Sequence, residues 1–312
     1  MKIISWSIRG ALHENGKLFV KELVRTKNPD IILLYETRCQ SARVSRFWNS
    51  LGFTLGFVSE AFGYRGGIWV LIRSNATFSY CLVHSHGQAI SFELWRDNLS
   101  WVCTAVYESP TPVLREELWE HLSLMRNTIL SPWLLIGDMN EVLLPSEVRG
   151  GDFFPNRADK FAEVLTACNL VDLGLVGGKF TWFRHRNQRI MLSKRLDRGL
   201  GDVDWRLAFP DASVEVLHRA HSDHCPLLLH CGGQNHRTNG PKPFRFIAAW
   251  ADHPMYQSIV QGAWQRGTND IQAKLDQIRK DSEVFNKETF GDILRRKRWV
   301  EGRLKRGPKR SR

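Results

Sequence analysis

The stretch WLLIGDMN, residues 133–140, joins a short apolar run to polar residues at its end. An apolar run of four to eight residues is typical of a buried strand, so residues 133–137 are predicted to form one. Gly137 permits a tight backbone turn, and Asp138 and Asn140 lie close enough in sequence to point at one place. Taken alone, this motif is equally consistent with a turn cap and with a catalytic site.

Two other apolar runs are bordered by polar residues in a similar way. Glu36 follows the run 31–35, and Asp223 and His224 precede the run 225–229. Carboxylates at the ends of several strands would converge on one edge of a sheet, where they could hold a divalent metal over a phosphate. The pattern therefore favours phosphodiester hydrolysis.

The motif SDHCP, residues 222–226, is the most specific of these signals. A histidine beside an aspartate can donate or accept a proton when another carboxylate orients its second ring nitrogen. Asp197 is the candidate for that carboxylate. The alternative is that Asp223 caps a turn and His224 is a structural histidine. The presence of Glu36 and Asp138 in the same chain favours a catalytic role for the motif.

Strands outnumber helices in the predicted order of elements, and several helices fall between strands. This order predicts an α/β sandwich, with two packed sheets flanked by helices. Apolar runs predict strands at 3–6, 31–35, 68–72, 90–95, 101–107, 133–137, 179–183, 214–217 and 226–230, and helical periodicity predicts helices at 16–27, 114–127 and 157–169.

Charge is distributed unevenly along the 312 residues. Residues 1–231 hold 26 Lys/Arg and 24 Asp/Glu, a net charge of 26 − 24 = +2, and residues 232–312 hold 18 and 8, a net charge of 18 − 8 = +10. The stretch 232–242 is rich in Gly, Asn and Pro and is predicted to be a linker. We therefore expect a domain at 1–231 and a helical basic segment at 243–312.

The basic segment suggests contact with a polyanion. Apolar residues at 271, 275, 278 and 285 mark one face of an amphipathic helix, and the last 18 residues carry ten positive charges and one negative charge. Nucleic-acid binding, a nuclear localisation signal and a solubilising helix end all remain open for this tail.

Several protein classes are disfavoured by the composition. The chain has no apolar stretch of about 18 residues, which disfavours a transmembrane helix, and its first ten residues do not resemble a secretory signal. The six cysteines form no CxxC pair. We expect an intracellular protein of the nucleus or cytoplasm, neither secreted nor bound to a membrane, with reduced and mostly buried cysteines.

Five motifs occur in the order seen in the endonuclease/exonuclease/phosphatase superfamily, which includes exonuclease III-like apurinic endonucleases and pancreatic deoxyribonuclease. They are ISWSIRG (4–10), LYETR (34–38), GDMN (137–140), RLDR (195–198) and SDHCP (222–226). KFTW (179–182) and PFRF (243–246) resemble the endonuclease domain of plant non-LTR, LINE-type retrotransposons. The similarity covers residues 1 to about 231. The remainder resembles a segment that leads toward a reverse transcriptase, so the chain looks like a truncated copy.

The resemblance implies a four-layer α/β sandwich of two packed mixed β-sheets, followed by the helical basic tail. It also implies a DNA endonuclease that uses Mg²⁺ or Mn²⁺, needs no small-molecule cofactor, and leaves a 3′-hydroxyl end that primes reverse transcription. Its partner would be DNA, and basic residues between the predicted strand 179–183 and Asp197 are candidates for the contact, although an ordinary solvated loop is equally consistent with them. These basic residues are Arg184, Arg186, Arg189 and Lys194, with His185 among them.

The same resemblance implies a role for each site residue. Glu36 would be the main metal ligand, Asp138 would position or deprotonate the attacking water, and Asn140 would hydrogen-bond the phosphate or the nucleophile. Asp223 would lie in the metal or phosphate shell. His224, paired with Asp197, would contact the scissile phosphate and stabilise its developing charge. Tyr107 would contact the phosphate or the leaving oxygen.

Two positions depart from the family pattern. Ser7 stands where the family has the Asn of an SWN motif, and its shorter side chain predicts a loosened metal site with lower activity. Glu108 stands where Gly is common, and its carboxylate would repel phosphate unless it faces solvent. Two alternatives follow: a catalytically impaired retroelement remnant that keeps the fold and binds nucleic acid, and a phosphatase of a small phosphorylated molecule, against which the basic tail argues.

Overall fold

The structure is a computed structural model that describes residues 1–186, 189–232, 253–266 and 270–285. The chain divides into two compact units, Met1–Asn235 and His236–Arg312. None of the described helices is long and apolar enough to cross a membrane.

The first unit contains fifteen described strands and five α-helices. In chain order the strands are β1 (Lys2–Ser7), β2 (Ile31–Tyr35), β3 (Phe53–Ser59), β4 (Ile68–Arg73), β5 (Ser79–His86), β6 (Ala89–Arg96), β7 (Leu99–Tyr107), β8 (Trp133–Asp138), β9 (Val148–Arg149), β10 (Leu170–Asp172), β11 (Trp182–Arg186), β12 (Arg189–Lys194), β13 (Asp197–Asp202), β14 (Ser213–Val216) and β15 (Leu227–His230). The helices are α1 (Glu14–Lys27), α2 (Ser45–Ser50), α3 (Pro112–Arg126), α4 (Pro155–Ala167) and α5 (Val203–Ala208).

Two six-stranded sheets form the centre of this unit. The first has the order β14-β15-β1-β2-β4-β3 and the second the order β10-β13-β8-β7-β6-β5. Each sheet has one parallel pair, β1 with β2 and β7 with β8, among antiparallel pairs. A small third sheet has the order β11-β12-β9. The prediction of two packed mixed sheets flanked by helices is confirmed.

Both faces of the central strands are buried, which explains their continuous apolar runs. In β2, Ile31, Leu33 and Tyr35 join the core between the two sheets, and Ile32 and Leu34 pack under α1 and α2. The second sheet is covered on its outer face by α3 and α4 in the same manner. Burying one such side chain contributes about 1.5–3 kcal/mol, so this alternation drives formation of the four layers.

Local signals in the sequence set the limits of these helices. α1 ends at Asn28, whose φ of 49° is left-handed, and Pro29 follows it. α3 and α4 each begin with a proline, the residue favoured at the first helical position because its missing N–H has no partner there.

Some elements differ from the sequence prediction. The strand predicted at 179–183 lies at Trp182–Arg186, and it forms a hairpin with β12 that the prediction treated as a loop. Apart from β12, the strands that were not predicted are β3, β5, β9, β10 and β13. The predicted linker 232–242 lies outside the described residues apart from Gly232, as does the tail beyond residue 285.

In the second unit the structure describes two helices, α6 (Tyr256–Arg266) and α7 (Ile271–Phe285). The Tyr256 ring lies 5.3 Å from that of Phe285, centroid to centroid, and its hydroxyl shares a hydrogen bond of 2.8 Å with Ser282. α7 carries all four of the positions predicted to mark one helical face.

The sheets bring several strand ends to a single edge of the first unit. β1 and β2 run in parallel, so Ser7 lies opposite Tyr35, which immediately precedes Glu36. In the second sheet Tyr107 and Asp197 each lie opposite Asp138, on the two strands that border β8. This topology places residues far apart in sequence around one site.

Candidate active site

Asp138 lies at the end of β8 and is fully buried. The backbone before it passes so close to β7 that a Cβ at Gly137 would overlap the carbonyl of Val106, which requires glycine there. One carboxylate oxygen, Oδ1, accepts a hydrogen bond of 3.0 Å from the backbone of Asn140. The other, Oδ2, has no hydrogen-bond partner in the described part of the chain.

His224 lies between two carboxylates. Its Nδ1 is 2.9 Å from Oδ2 of Asp197, and its Nε2 is 3.6 Å from Oδ2 of Asp138. The backbone of Asp197 donates to the Thr181 hydroxyl, and the indole of Trp6 donates to the carbonyl of His224, so both partners are fixed from outside. The predicted pairing of Asp197 with His224 is therefore present as a direct contact.

The surroundings shift the pKa values of His224 and Asp138. Burial disfavours a charged imidazole, but the charges of Asp197 and Asp138 outweigh it and raise the pKa of His224 to about 9. Burial raises the pKa of Asp138 to about 7, against the opposing effect of His224 and with a further contribution from Asp197. An imidazolium and a carboxyl group of near-neutral pKa thus share one buried site, a combination that clusters at active sites.

Glu36 has a left-handed backbone, with φ of 49°, and its carboxylate is nearly buried. Arg38 binds one of its oxygens, and Nε of Arg9 lies 3.4 Å from the other. Burial and the charges of Glu36 and Asp138 raise the pKa of Tyr107, so its phenol stays neutral and can donate a hydrogen bond.

Three side chains of this site suit a divalent cation. Glu36, Asp138 and His224 each offer a ligand atom, and these atoms lie within 4.8 Å of one another. Two carboxylates supply the oxygen ligands that Mg²⁺ and Mn²⁺ favour, and the unpartnered Oδ2 of Asp138 leaves an acceptor free. The donor set therefore fits the metal that the sequence resemblance implies.

Asp223 and Ser7 border this trio. Oδ2 of Asp223 accepts from the indole of Trp182 and from Nη1 of Arg9, both at 2.8 Å, so Asp223 is joined to Glu36 through Arg9. Ser7 is fully buried at the end of β1, and its Oγ has no hydrogen-bond partner among the described residues.

Asn140 follows Asp138 in a left-handed turn, with φ of 45°. Its Nδ2 donates a 2.5 Å hydrogen bond to the carbonyl of Glu108, and its own carbonyl accepts from the buried guanidinium of Arg115. These bonds fix the loop after β8 against the residues after β7.

Glu108 does not face solvent, the arrangement under which the sequence expectation would spare a bound phosphate. The side chain is fully buried beneath α3, where one of its oxygens accepts a 3.0 Å hydrogen bond from the indole of Trp119. Burial raises the pKa of Glu108 well above its usual range. The group therefore does not face solvent, and its surroundings favour the neutral carboxyl group.

The predicted DNA-contacting residues lie on the β11–β12 hairpin. The guanidinium of Arg184 lies 5.4 Å from the centre of the Trp182 ring, and Arg189 is exposed. Lys194 is half-buried, and burial together with the charge of Arg157 lowers its pKa. Arg186 belongs to β11, but its side chain lies outside the described residues. Because Trp182 binds Asp223, the hairpin begins beside the site.

Three further residues, Arg9, Arg38 and Trp182, belong to the site but were not predicted from the sequence. They fall within the motifs ISWSIRG, LYETR and KFTW. For Arg9 and Arg38 the available signal was a basic residue within a motif that otherwise supplies site residues, and no comparable signal marked Trp182.

Comparisons with known proteins agree with this geometry. The family described as "Endonuclease/Exonuclease/phosphatase family" matches residues 4–224. No curated protein matches the sequence.

Solved structures of nucleic-acid enzymes share the fold. The AP endonuclease LMAP from Leishmania major has a TM-score of 0.58 at 15% identity, over 73% of this chain and 86% of that one. The endonuclease domain of TRAS1, a telomere-specific non-LTR retrotransposon, has a TM-score of 0.55 at 14% identity, over 73% and 96%. The 3′ phosphatase NExo from Neisseria, bound to a product DNA hairpin, has a TM-score of 0.54 at 20% identity, over 74% and 98%.

At these identities the structural likeness establishes the fold alone. The family match covers well over half of the 312 residues and spans every motif from β1 to His224. The chain belongs to the endonuclease/exonuclease/phosphatase family.

Proposed function

We propose that this protein is a DNA endonuclease that depends on Mg²⁺ or Mn²⁺ and hydrolyses a phosphodiester to leave a 3′-hydroxyl end. The observation that carries the proposal is the buried series Asp197–His224–Asp138, with the Glu36 carboxylate within 4.8 Å of it as a ligand for a cation. Phosphoryl transfer needs a proton acceptor for water and a positive environment for the phosphoryl oxygens, and this arrangement offers both.

Each residue has a role that follows from its contacts. Asp138 accepts the proton of the attacking water on Oδ2, the oxygen with no hydrogen-bond partner in the described chain. His224, held as a cation by Asp197, donates to a phosphoryl oxygen as negative charge develops. Tyr107, whose raised pKa keeps the phenol neutral beside Glu36, donates a hydrogen bond to the phosphate or the departing 3′ oxygen in this proposal.

The cation would be held mainly by Glu36, with Asp223 in its shell, and would neutralise charge on the phosphate when bound. Asn140 keeps the loop after β8 closed through its bond to the carbonyl of Glu108, so the carboxylate of Asp138 stays oriented. As water attacks phosphorus and gives one proton to Asp138, the P–O3′ bond breaks. The departing 3′ oxygen takes up a proton from solvent, which leaves a 3′-hydroxyl on one side of the nick and a 5′-phosphate on the other.

The hairpin beside the site supports nucleic acid as the substrate. Arg184 stacks on Trp182, Arg219 stacks on Phe183, and the guanidinium of Arg219 lies 3.1 Å from Nε2 of His185. Guanidinium groups next to aromatic rings suit phosphate and base contacts. The solved relatives include an enzyme bound to a DNA hairpin, which is consistent with this assignment.

A role in a non-LTR retroelement is the finer part of the proposal. It rests on the motifs shared with plant LINE-type endonuclease domains, and the fold shared with the TRAS1 domain is consistent with it. A free 3′-hydroxyl is the end that a reverse transcriptase extends.

A plasmid-nicking assay with Mg²⁺ tests the function. Glu36→Ala and Asp138→Ala are expected to lose nicking, and the matched variants Glu163→Ala and Asp152→Ala, which remove exposed carboxylates, are expected to keep it. Equal nicking by all four variants and the wild type would eliminate the proposal. Release of phosphate from soluble inositol phosphates, without nicking, would favour the phosphatase alternative.

A further inference from the structure

Arg9 lies between two of the predicted metal-binding carboxylates. Its Nε is 3.4 Å from Oε1 of Glu36, and its Nη1 is 2.8 Å from Oδ2 of Asp223. The second oxygen of Glu36 is bound by Arg38. A positive charge of the protein itself therefore already sits where the resemblance implies a metal ion.

The backbone holds Arg9 in this place. Gly10 and Ala11 donate to the carbonyls of Glu36 and Thr37, at 2.8 and 2.9 Å, which fixes the segment after β1 against the segment after β2. Arg9 and Glu36 both have left-handed φ values, 54° and 49°. Such conformations are uncommon for residues other than glycine and persist where the surroundings enforce them.

The guanidinium also remains accessible. The Arg9 side chain is 39% exposed, and that of Asp223 is 23% exposed. Nε of Arg9 is buried without a hydrogen-bond partner among the described residues, so the side chain is only partly satisfied by its two carboxylates. A phosphate that enters from solvent would offer the Arg9 guanidinium a bidentate contact. Glu36 and Asp223 do not offer this contact, because each also accepts from another donor, Arg38 or Trp182.

We propose that Arg9 competes with the divalent cation for Glu36 and Asp223 in the free protein and moves to the DNA phosphate when substrate binds. This inference rests on the proposed function and adds a coupling to it. A cation and a guanidinium repel each other at one pair of carboxylates, so the free protein binds metal weakly. Withdrawal of Arg9 by phosphate removes the repulsion, and by linkage metal must then strengthen DNA binding by the same factor.

Titration calorimetry of the full chain with Mn²⁺ alone tests the competition. Arg9→Asn removes the charge with a side chain that tolerates a left-handed backbone, and we expect it to tighten Mn²⁺ binding about 10-fold. Arg9→Lys keeps the charge and is expected to remain close to the wild type. Arg46→Asn, which removes an exposed charge on α2, controls for the change in net charge.

The coupling is measured with a short DNA duplex in the Asp138→Asn background, so that the substrate is not cleaved. With Arg9 present, saturating duplex is expected to tighten Mn²⁺ binding about 10-fold, and with Arg9→Asn the duplex is expected to have little effect. If Asp138→Asn itself abolishes Mn²⁺ binding, the wild type with a non-hydrolysable phosphorothioate duplex gives the same comparison.

Two results would overturn the inference. Weaker Mn²⁺ binding by Arg9→Asn, with unchanged thermal unfolding, would make Arg9 a clamp that orients Glu36. Absence of Mn²⁺ binding in both proteins would exclude a competition. Neither result depends on nicking, so a protein that fails the nicking assay can still show the competition, and an active nuclease can still lack it.

Discussion

Two buried charge clusters in the first unit use the same residue types but balance them differently. In the first cluster, Glu147 and Asp172 are bound by Arg195 and Arg198, two negative charges against two positive ones. All four carboxylate oxygens accept hydrogen bonds, including those from the backbone of Leu143 and Gly174. We call this the ion-pair cluster.

The candidate active site is organised differently. Glu36 is paired with Arg9 and Arg38, but Asp138 and Asp197 share the single His224, and Oδ2 of Asp138 has no hydrogen-bond partner among the described residues. The shifts follow: arginine holds the pKa of Glu147 below its usual value against the effect of burial, and burial raises that of Asp138. A balanced cluster stabilises the fold, and an unbalanced one retains affinity for a ligand.

The largest expected effect comes from breaking the balanced cluster. Arg198→Met leaves Glu147 and Asp172 with one arginine, and uncompensated buried charge costs about 3–5 kcal/mol. Chemical denaturation should show this loss, and Arg46→Met, an exposed control on α2, should leave the free energy of unfolding within about 0.5 kcal/mol of the wild type. A loss below about 1 kcal/mol for Arg198→Met would mean that the ion pairs contribute little.

The next effect separates catalysis from stability. Asp138→Asn should lower nicking by about 10²–10³-fold because it removes the proton acceptor. It should leave stability equal or higher, because burial disfavours the charged carboxylate and raises the pKa of Asp138, and a neutral amide carries no such charge. Plasmid nicking and thermal unfolding measure the two quantities, and a large fall in stability would show that Asp138 is structural.

Ser7 tests whether the site is impaired. Ser7→Asn restores the family's amide at a buried position and should raise nicking about 10-fold. This gain is smaller than the rate contribution of about 10²–10³-fold that one active-site hydrogen-bond donor can make. Ser7→Ala is the matched control. It should nick within about 2-fold of the wild type because its Oγ has no partner to lose among the described residues. If the wild type does not nick and Ser7→Asn does not restore nicking, the protein is a retroelement remnant with defects at other positions.

The pH dependence of stability should reveal the ion-pair cluster. Burial opposes ionisation of Glu147, but hydrogen bonding and charge from Arg198 prevail and lower its pKa. A carboxyl with a depressed folded pKa contributes stability above its unfolded pKa and loses it as pH falls through the folded pKa. Unfolding free energy should thus decline below about pH 4.5, and Glu147→Gln should flatten that decline. An unchanged slope would contradict the assignment.

The smallest effect concerns Glu108. Burial raises its pKa well above the usual range, which favours the neutral carboxyl group. Glu108→Gln keeps an acceptor for Trp119 and should change stability by less than about 1 kcal/mol. Urea denaturation measures it, and a change above about 2 kcal/mol would indicate that the folded protein carries a charged Glu108.

Much of the fold could be predicted because its central strands are buried on both faces. Ile31–Tyr35 and Trp133–Asp138 are continuous apolar runs, and the strand limits predicted from them differ from the structure by no more than one residue. β5 could not be recognised in this way, because as an edge strand it is exposed along nearly its whole length and carries no apolar period.

Contacts within the candidate site could be predicted where the role of a side chain requires a particular partner. His224 needed a carboxylate on its second nitrogen, and Asp197 supplies it at 2.9 Å. Arg9 was missed because its role depends on which carboxylates it contacts, a property of two loops and not of a local pattern. The direction of Glu108 was likewise set by packing beneath α3, which alternation along β7 did not reveal.

Residues 181–183 connect the hairpin to the catalytic groups at several points. The Thr181 hydroxyl accepts hydrogen bonds from the backbone of Leu196 and Asp197, its carbonyl accepts one from Cys225, and Phe183 donates to the carbonyl of Asp223. The first residues of the hairpin therefore support the backbone of both Asp197 and the segment that holds His224. If nucleic acid tilts the hairpin, these hydrogen bonds would transmit the movement to the imidazole of His224. Substrate binding and the orientation of the imidazole would then be coupled.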